Sequence, residues 1–167
     1  MLVIDADNMV LGRVAAETAA ILLRKKPIVL ALNAQDGQTV EVRPHEHEMV
    51  YIVNAEKTVV SGNPNRVTEH FMRRVHLKTN TNPRRGPFYP RTPEAIVKRS
   101  VRGMVKHRTA TGKAVFKKLH VYTGIPEFLV NESRVCFKQA RADRLSSRRI
   151  NVGEIARRIG TYANRLK

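Results

Sequence analysis

Positive charge is concentrated in residues 63–167 of this 167-residue chain, and this limits how the chain can fold. Residues 1–62 carry six Lys and Arg against eight Asp and Glu, a net charge of −2. Residues 63–167 carry 25 Lys and Arg against six Asp and Glu, a net charge of +19. Because so many charges of one sign repel one another in a compact state, the fold must place them on a surface that a polyanion can neutralise.

The kind of basic residue points to nucleic acid. The chain contains 20 Arg and 11 Lys, and a guanidinium group can bind phosphate through two hydrogen bonds and stack on bases. Residues 84–126 hold 11 Lys and Arg and a single acid, Glu94. A solvated basic face is the alternative interpretation, but such faces usually mix both signs. We therefore predict binding to nucleic acid, and to folded RNA in particular.

Composition excludes several other classes of protein. Hydrophobic residues make up 42% of the chain, which is enough for a core, whereas aromatics are only 5% and Trp is absent. This argues against a large aromatic pocket for a small-molecule substrate. Cys136 is the only cysteine, so no internal disulfide is possible, and we expect it to be a buried apolar residue. No apolar run is long enough to span a membrane, and the first residues carry no signal-peptide pattern. We expect a cytoplasmic protein.

The hydrophobic pattern predicts alternating strands and helices, which favours an α/β fold. Asp36-Gly37 between two apolar runs predicts a β-hairpin, and Asn63-Pro64, Thr92-Pro93 and Asn151 with Glu154 read as helix starts. The expected elements, in chain order, are a strand at Leu2–Asp5, a helix from Leu11 to Leu23, hairpin strands at Ile28–Leu32 and Thr39–Val42, strands at Val50–Val53 and 58–60, a helix from Pro64, a loop over residues 76–91, helices from Pro93 and Thr111, a strand at 119–122 and a last helix from Asn151.

Two candidate sites and two alternative functions have weaker support than the basic region. His45-Glu46-His47-Glu48 lacks the spacing of a helical zinc motif, so we interpret it as a polar loop and expect no metal site. Asp5-Ala6-Asp7 follows a strand, but no glycine-rich phosphate loop accompanies it, so we expect no cofactor. The acids of residues 63–167 are scattered, which disfavours a nuclease or RNA-modifying enzyme. No helix-turn-helix or zinc-finger pattern supports a DNA-binding regulator.

An ordered set of motifs covering most of the chain resembles one family, the large-subunit ribosomal protein L thirteen in its archaeal form. The motifs are Asp5 with Leu11-Gly12-Arg13-Val14-Ala15, Val53-Asn54-Ala55-Glu56-Lys57 with Ser61-Gly62, Val101-Arg102-Gly103-Met104 with His107, Thr109 and Gly112, Val121-Tyr122 with Gly124-Ile125-Pro126, Asp143-Arg144-Leu145, and Val152-Gly153-Glu154-Ile155.

This resemblance implies a three-layer α/β/α core with a small, mostly parallel sheet, and a structural role rather than an enzymatic one. The implied partners are large-subunit (23S-type) rRNA and neighbouring large-subunit ribosomal proteins. The resemblance also implies that the protein helps the subunit to assemble. We expect a core over residues 1–126, with a hairpin insertion at 27–49 and an RNA-facing loop at 76–91, and a basic C-terminal extension at 127–167 that ends in a helix. The predicted RNA-binding residues are Arg84, Arg85, Arg91, Lys98, Arg99, Arg102, Lys106, His107, Arg108 and Lys113, with Arg144, Arg148 and Arg149 as a second contact. Phe88 and Tyr89 are available to stack on bases.

The chain departs from the family pattern in two places. Val105-Lys106 stand where the family has Leu-Pro, which adds charge and predicts a helix that continues further. Residues 27–49, which contain the predicted hairpin, form an insertion.

Overall fold

The computed structural model describes residues 1–23, 28–32, 39–42 and 49–160, with residues 28–32 and 39–42 as backbone alone. The strands are β1 (Leu2–Asp5), β2 (Ile28–Leu32), β3 (Thr39–Val42), β4 (Val50–Val53), β5 (Val59–Ser61), β6 (Leu119–Val121), β7 (Arg134–Cys136) and β8 (Arg149–Asn151). The α-helices are α1 (Leu11–Leu22), α2 (Pro64–His76), α3 (Pro93–Met104), α4 (Ala110–Lys117) and α5 (Val152–Ile159).

The main sheet has the strand order β3-β2-β7-β1-β4-β6. Strands β7, β1, β4 and β6 are parallel neighbours, and β2 runs antiparallel to β7 and to β3. The predicted α/β class, small mostly parallel sheet and inserted hairpin are therefore confirmed, with Ile28 opposite Val42. The predicted hairpin turn at 33–38 and the His-Glu repeat at 45–48 lie outside the described residues.

One face of the sheet carries the main hydrophobic core. Because side chains alternate along a strand, Leu2 and Ile4 of β1 point to this face, together with Ile52 of β4. Helices α1 and α3 pack against each other over these side chains and bury their apolar stripes there. This packing decides which side of α3 is left to face outward.

The opposite face of the sheet has a thinner cover. Val3 and Val53 are buried there against Leu129, which lies on a 3-10 turn at Glu127–Leu129. Beside them Tyr51 and Tyr122 stack with their ring centroids 6.3 Å apart, and the 59% exposed Phe128 meets Tyr122 edge-on at 5.7 Å. An aromatic cluster and this 3-10 turn thus pack against this part of the sheet.

Residues beyond 126 belong to the core, so the predicted boundary there does not separate core from extension. β7 lies between β1 and β2 in the sheet, and Phe137 and Val152 are buried in the main core. β8 pairs antiparallel with β5 as a second, two-stranded sheet. Strand β7 was not predicted from the sequence, and its partners β1 and β2 are distant from it along the chain.

Helix ends follow the predicted signals only in part. Asn63 caps α2 by accepting a hydrogen bond from the Asn65 N–H at 3.1 Å, as predicted. At α5 the side chain of Asn151 makes no capping hydrogen bond, and the Glu154 carboxylate pairs with Arg158 one turn later. The prediction of a longer α3 is wrong: the helix ends at Met104, and the next residue turns inward to be buried.

Candidate nucleic-acid interface

Helix α3 divides its two faces between the core and the solvent. Ile96, Val97 and Val101 are at most 2% exposed, since they pack under the helix against the sheet. Arg99 and Arg102 are exposed on the outward side. This helix follows the predicted α-helical periodicity, with Pro93 at its first turn, and holds its cations on a rigid element.

Nearby acids turn away from this outward surface. Glu94 accepts a hydrogen bond from the Thr123 hydroxyl at 2.9 Å, and Glu56 accepts one from the Gly124 N–H at 2.9 Å. Among the described residues, no carboxylate lies within ion-pair distance of Arg99 or Arg102. The positive potential of the surface is therefore not cancelled locally.

The turn after α3 holds three further predicted residues in place. Val105, which is 1% exposed, anchors the turn in the core. The Lys106 carbonyl accepts hydrogen bonds from the N–H of Thr109 at 3.1 Å and from its hydroxyl at 2.8 Å. Thr109 also caps α4, because its hydroxyl oxygen accepts the Gly112 N–H at 3.1 Å. Lys106 therefore belongs to this turn and not to α3, and its side chain and that of Arg108 are exposed.

His107 contacts Arg102 directly. The Arg102 Nη2 group lies 2.7 Å from the His107 Nε2 atom, so the imidazole accepts this hydrogen bond in its neutral form. Partial desolvation, followed by the positive charges of Arg102, Arg108 and Lys113, lowers the pKa of His107 below its ordinary value. An arriving phosphate would oppose this shift by favouring the charged imidazolium.

The approach to α3 carries aromatic rings as well as cations. The Arg99 Nη1 group donates a hydrogen bond to the Phe88 carbonyl at 3.2 Å, and its guanidinium lies 4.3 Å from the centroid of the Tyr89 ring. Both contacts fix the loop against the helix. The Phe88 ring is 75% exposed. Arg84 and Arg85 lie on a preceding exposed 3-10 turn, capped by an Asn82 side chain that accepts the Arg84 N–H at 3.0 Å.

Two cavities open on either side of the Tyr89–Arg99 pair. The first, of about 390 Å³, lies between residues 88–90, α3 and α4, and includes Phe116. The second, of about 260 Å³, is lined in part by Phe71 and Arg74 of α2. Sequence reasoning missed Phe116 and Arg74 because only the packing of α2 and α4 against α3 brings them to this surface.

The predicted RNA-binding residues fall into two parts of the fold. The larger group lies on α3, its approach and the elements that follow it; it comprises Arg84, Arg85, Arg91, Lys98, Arg99, Arg102, Lys106, His107, Arg108 and Lys113. Arg144, Arg148 and Arg149 are exposed beside β8 instead. The Arg149 Nη1 group donates to the Ala142 carbonyl at 3.1 Å, which gives it a structural contact as well.

Motif residues outside the basic region hold the turns after the parallel strands. The Asn54 Nδ2 group donates to the Asp5 carboxylate at 2.8 Å and thereby ties the end of β4 to the end of β1. Asn54 does this from a left-handed backbone conformation with φ 58°. Gly153 packs against Glu56, which leaves a Cβ at this position only 3.0 Å from the Glu56 carbonyl oxygen. These motifs therefore have structural roles.

Metal ligation and thiol chemistry find little support in residues 1–23 and 49–160. Within these ranges no three His, Cys, Asp or Glu side chains cluster closely enough to hold a metal ion. No helix of the same part of the chain has the length and apolar character needed to cross a membrane. Cys136 is buried as predicted, and its burial, with a smaller contribution from Asp5, raises the pKa of the thiol to about 11. Such a thiol is a poor nucleophile at neutral pH.

The fold and its outward cations define a basic α/β protein. Residues 1–127 match the family model described as Ribosomal protein L13, and the chain belongs to this family of structural, non-catalytic proteins. The protein called large ribosomal subunit protein uL13 of Sulfolobus acidocaldarius is 35% identical over 161 residues, which cover 96% of this chain and 93% of the relative. The protein of the same name from Aeropyrum pernix is 35% identical and covers 95% of this chain and 89% of its own length. The one from Methanosphaera stadtmanae is 33% identical and covers 95% of this chain and 96% of its own length.

Proposed function

We propose that this protein binds large-subunit (23S-type) rRNA as a structural component of the large ribosomal subunit in the cytoplasm, and helps the subunit to assemble. The observation that carries the proposal is the outward face of α3 and the turn behind it. There, Arg99, Arg102, Lys106 and Arg108 are exposed without a carboxylate partner among the described residues. Val97, Val101 and Val105 anchor the helix and the turn in the core, so the backbone that carries these cations is well packed.

The two groups of basic residues suggest two separate contacts with rRNA. The surface of α3, its approach and α4 would neutralise phosphates where RNA segments converge. Arg144, Arg148 and Arg149 would add a contact beside β8. Neighbouring proteins of the large subunit are the expected further partners, in line with the names of the archaeal relatives.

Binding to protein-free large-subunit rRNA, with excess tRNA as competitor, tests this proposal. With six to ten phosphate contacts, affinity should fall roughly 10³- to 10⁵-fold between about 50 and 200 mM salt. Arg102→Glu should weaken binding and reduce the salt slope by about 1 for each phosphate that is no longer neutralised. Lys138→Glu makes the same change in charge on an exposed turn outside both basic groups, and should leave binding unaltered.

Two results would refute the proposal. A normal thermal melt for each shows that the fold is retained, since both side chains are exposed. If tRNA competes as well as the rRNA does, the basic surface is a general polyanion binder and specific rRNA recognition is refuted. If Arg102→Glu and Lys138→Glu bind equally, the surface around α3 is not where the RNA binds.

A further inference from the structure

The cavity between residues 88–90, α3 and α4 combines apolar walls with a cationic rim. Its walls include the rings of Phe88 and Phe116, and its volume is about 390 Å³, within the range of small-ligand sites. Lys98, Arg99 and Arg102 line it from α3. The Lys98 ammonium lies 5.6 Å from the centroid of the Phe116 ring, so a cation and an aromatic face already meet at this site.

We infer that this cavity holds one unpaired nucleotide of the bound RNA, with its base against the rings of Phe88 and Phe116 and its phosphates toward the rim cations. This inference rests on the proposed rRNA binding and assigns a particular element of the RNA to one place on the surface. A planar base with an attached anion matches both halves of the site, because unstacked bases stack on aromatic side chains and Arg planes.

The rings distinguish this nucleotide from paired RNA and from an apolar peptide. Bases within a duplex have their faces covered by neighbours, so a helix would contact the cations and leave the 75% exposed Phe88 ring in water. An apolar protein side chain could fill the walls but would leave Lys98, Arg99 and Arg102 without an anion. Charge complementarity therefore selects the nucleotide.

The backbone of the 88–89 loop and the ring of Phe116 are both held in place around the cavity. The contacts of Arg99 with the Phe88 carbonyl and the Tyr89 ring tie the loop to α3. Phe116 packs partly buried against the main core, which fixes the opposite wall. A base can then enter without the cost of ordering these groups, which favours affinity.

A matched pair of RNA hairpins tests the inference with the full chain. One hairpin carries a single bulged 2-aminopurine nucleotide, and the other has an abasic residue at that position, so both present the same phosphates. The protein should bind the first on the order of tenfold more tightly, because the second has no base to stack at that position. The fluorescence of the 2-aminopurine should also fall on binding, since stacking on the rings quenches it.

Phe88→Ala should remove this tenfold preference and the quenching, while the salt dependence of binding stays unchanged because every cation is retained. Phe128→Ala is the control, because Phe128 is also an exposed ring, 59% accessible, but lies on the opposite face of the sheet. It should keep both the preference and the quenching.

Two different failures can be told apart. Equal affinity for the two hairpins without quenching, together with intact rRNA binding, overturns the nucleotide site alone and leaves the cavity to another occupant. Absence of competitor-resistant binding to rRNA refutes the proposed function, and the nucleotide site with it.

Discussion

Two helical glycines, Gly112 and Gly103, should respond in opposite directions to the same added methyl group. A Cβ on Gly112 would lie 2.0 Å from the Lys106 carbonyl oxygen and 2.6 Å from its carbon. Because real Cβ contacts are essentially never under 3.0 Å, the turn or α4 must move by about 1 Å. A Cβ on Gly103 meets nothing within 4 Å.

The free energies of unfolding of the two variants follow from these distances. Gly103→Ala removes only the entropy cost of glycine and should stabilise the protein by about 0.5 to 1 kcal/mol. Gly112→Ala gains a similar amount of stability from the lost glycine entropy. Its new methyl group meets backbone atoms, which cannot move aside as a side chain can, so we take the upper end of the overpacking cost, about 3 kcal/mol. The net loss should be about 2 kcal/mol, which separates the two variants by about 3 kcal/mol.

Thermal unfolding followed by circular dichroism measures this separation. For a domain of this size, 1 kcal/mol shifts the Tm by about 2 to 4 °C, so the two variants should differ by roughly 6 to 12 °C. Gly112→Ala should melt below the parent protein and Gly103→Ala above it. Equal melting temperatures would refute the claim that the carbonyl of Lys106 excludes a side chain at position 112.

Three further predictions concern single side chains. The pKa of His107 is lowered in the folded state, so the unfolded state binds more protons and stability should rise with pH from that lowered pKa up to about 6.5. Because bound phosphate favours the imidazolium, rRNA affinity should instead increase as pH falls toward the pKa of His107, and His107→Gln should weaken both dependences in pH-resolved melts and binding assays. Asn54→Ala should lower the free energy of unfolding by about 2 kcal/mol, and Asn54→Gly should lower it by about 1 kcal/mol less, as measured by denaturant unfolding. Both variants lose the hydrogen bond to Asp5, but glycine tolerates the left-handed backbone; equal losses would contradict this reasoning. Cys136 should resist alkylation in the native state at pH 8 and react on unfolding; rapid native reaction would contradict its burial.

The sequence predicted elements whose pattern is complete within a few residues. β1, β4 and both hairpin strands have the predicted bounds, because each is a short apolar or alternating polar-apolar run bordered by polar or turn residues. The outward position of Arg99 and Arg102 also followed from helical periodicity. These features depend on residues that are close along the chain, so one amino-acid sequence is enough to predict them.

Features that depend on distant packing were not predicted. β7 is recognisable only once β1 and β2 are present on either side of it. The acceptor role of His107 depends on where α3 ends, and the cavity beside Phe116 depends on how α4 packs. The predicted capping box of α5 did not form: the Asn151 side chain makes no capping hydrogen bond, and the Glu154 carboxylate pairs with Arg158.

The position of β7 has a consequence for how the protein is made. This strand, at Arg134–Cys136, is inserted between β1 at the start of the chain and the hairpin strand β2. The sheet cannot be completed until most of the polypeptide has been synthesised, because the chain emerges from its N-terminus. Until then, β1 and β2 each lack a neighbour, while the strongly cationic residues 63–126 are already available to polyanions. A nascent chain of this topology therefore exposes its cations before its sheet closes, and long-range strand pairing of this kind is intrinsically slow.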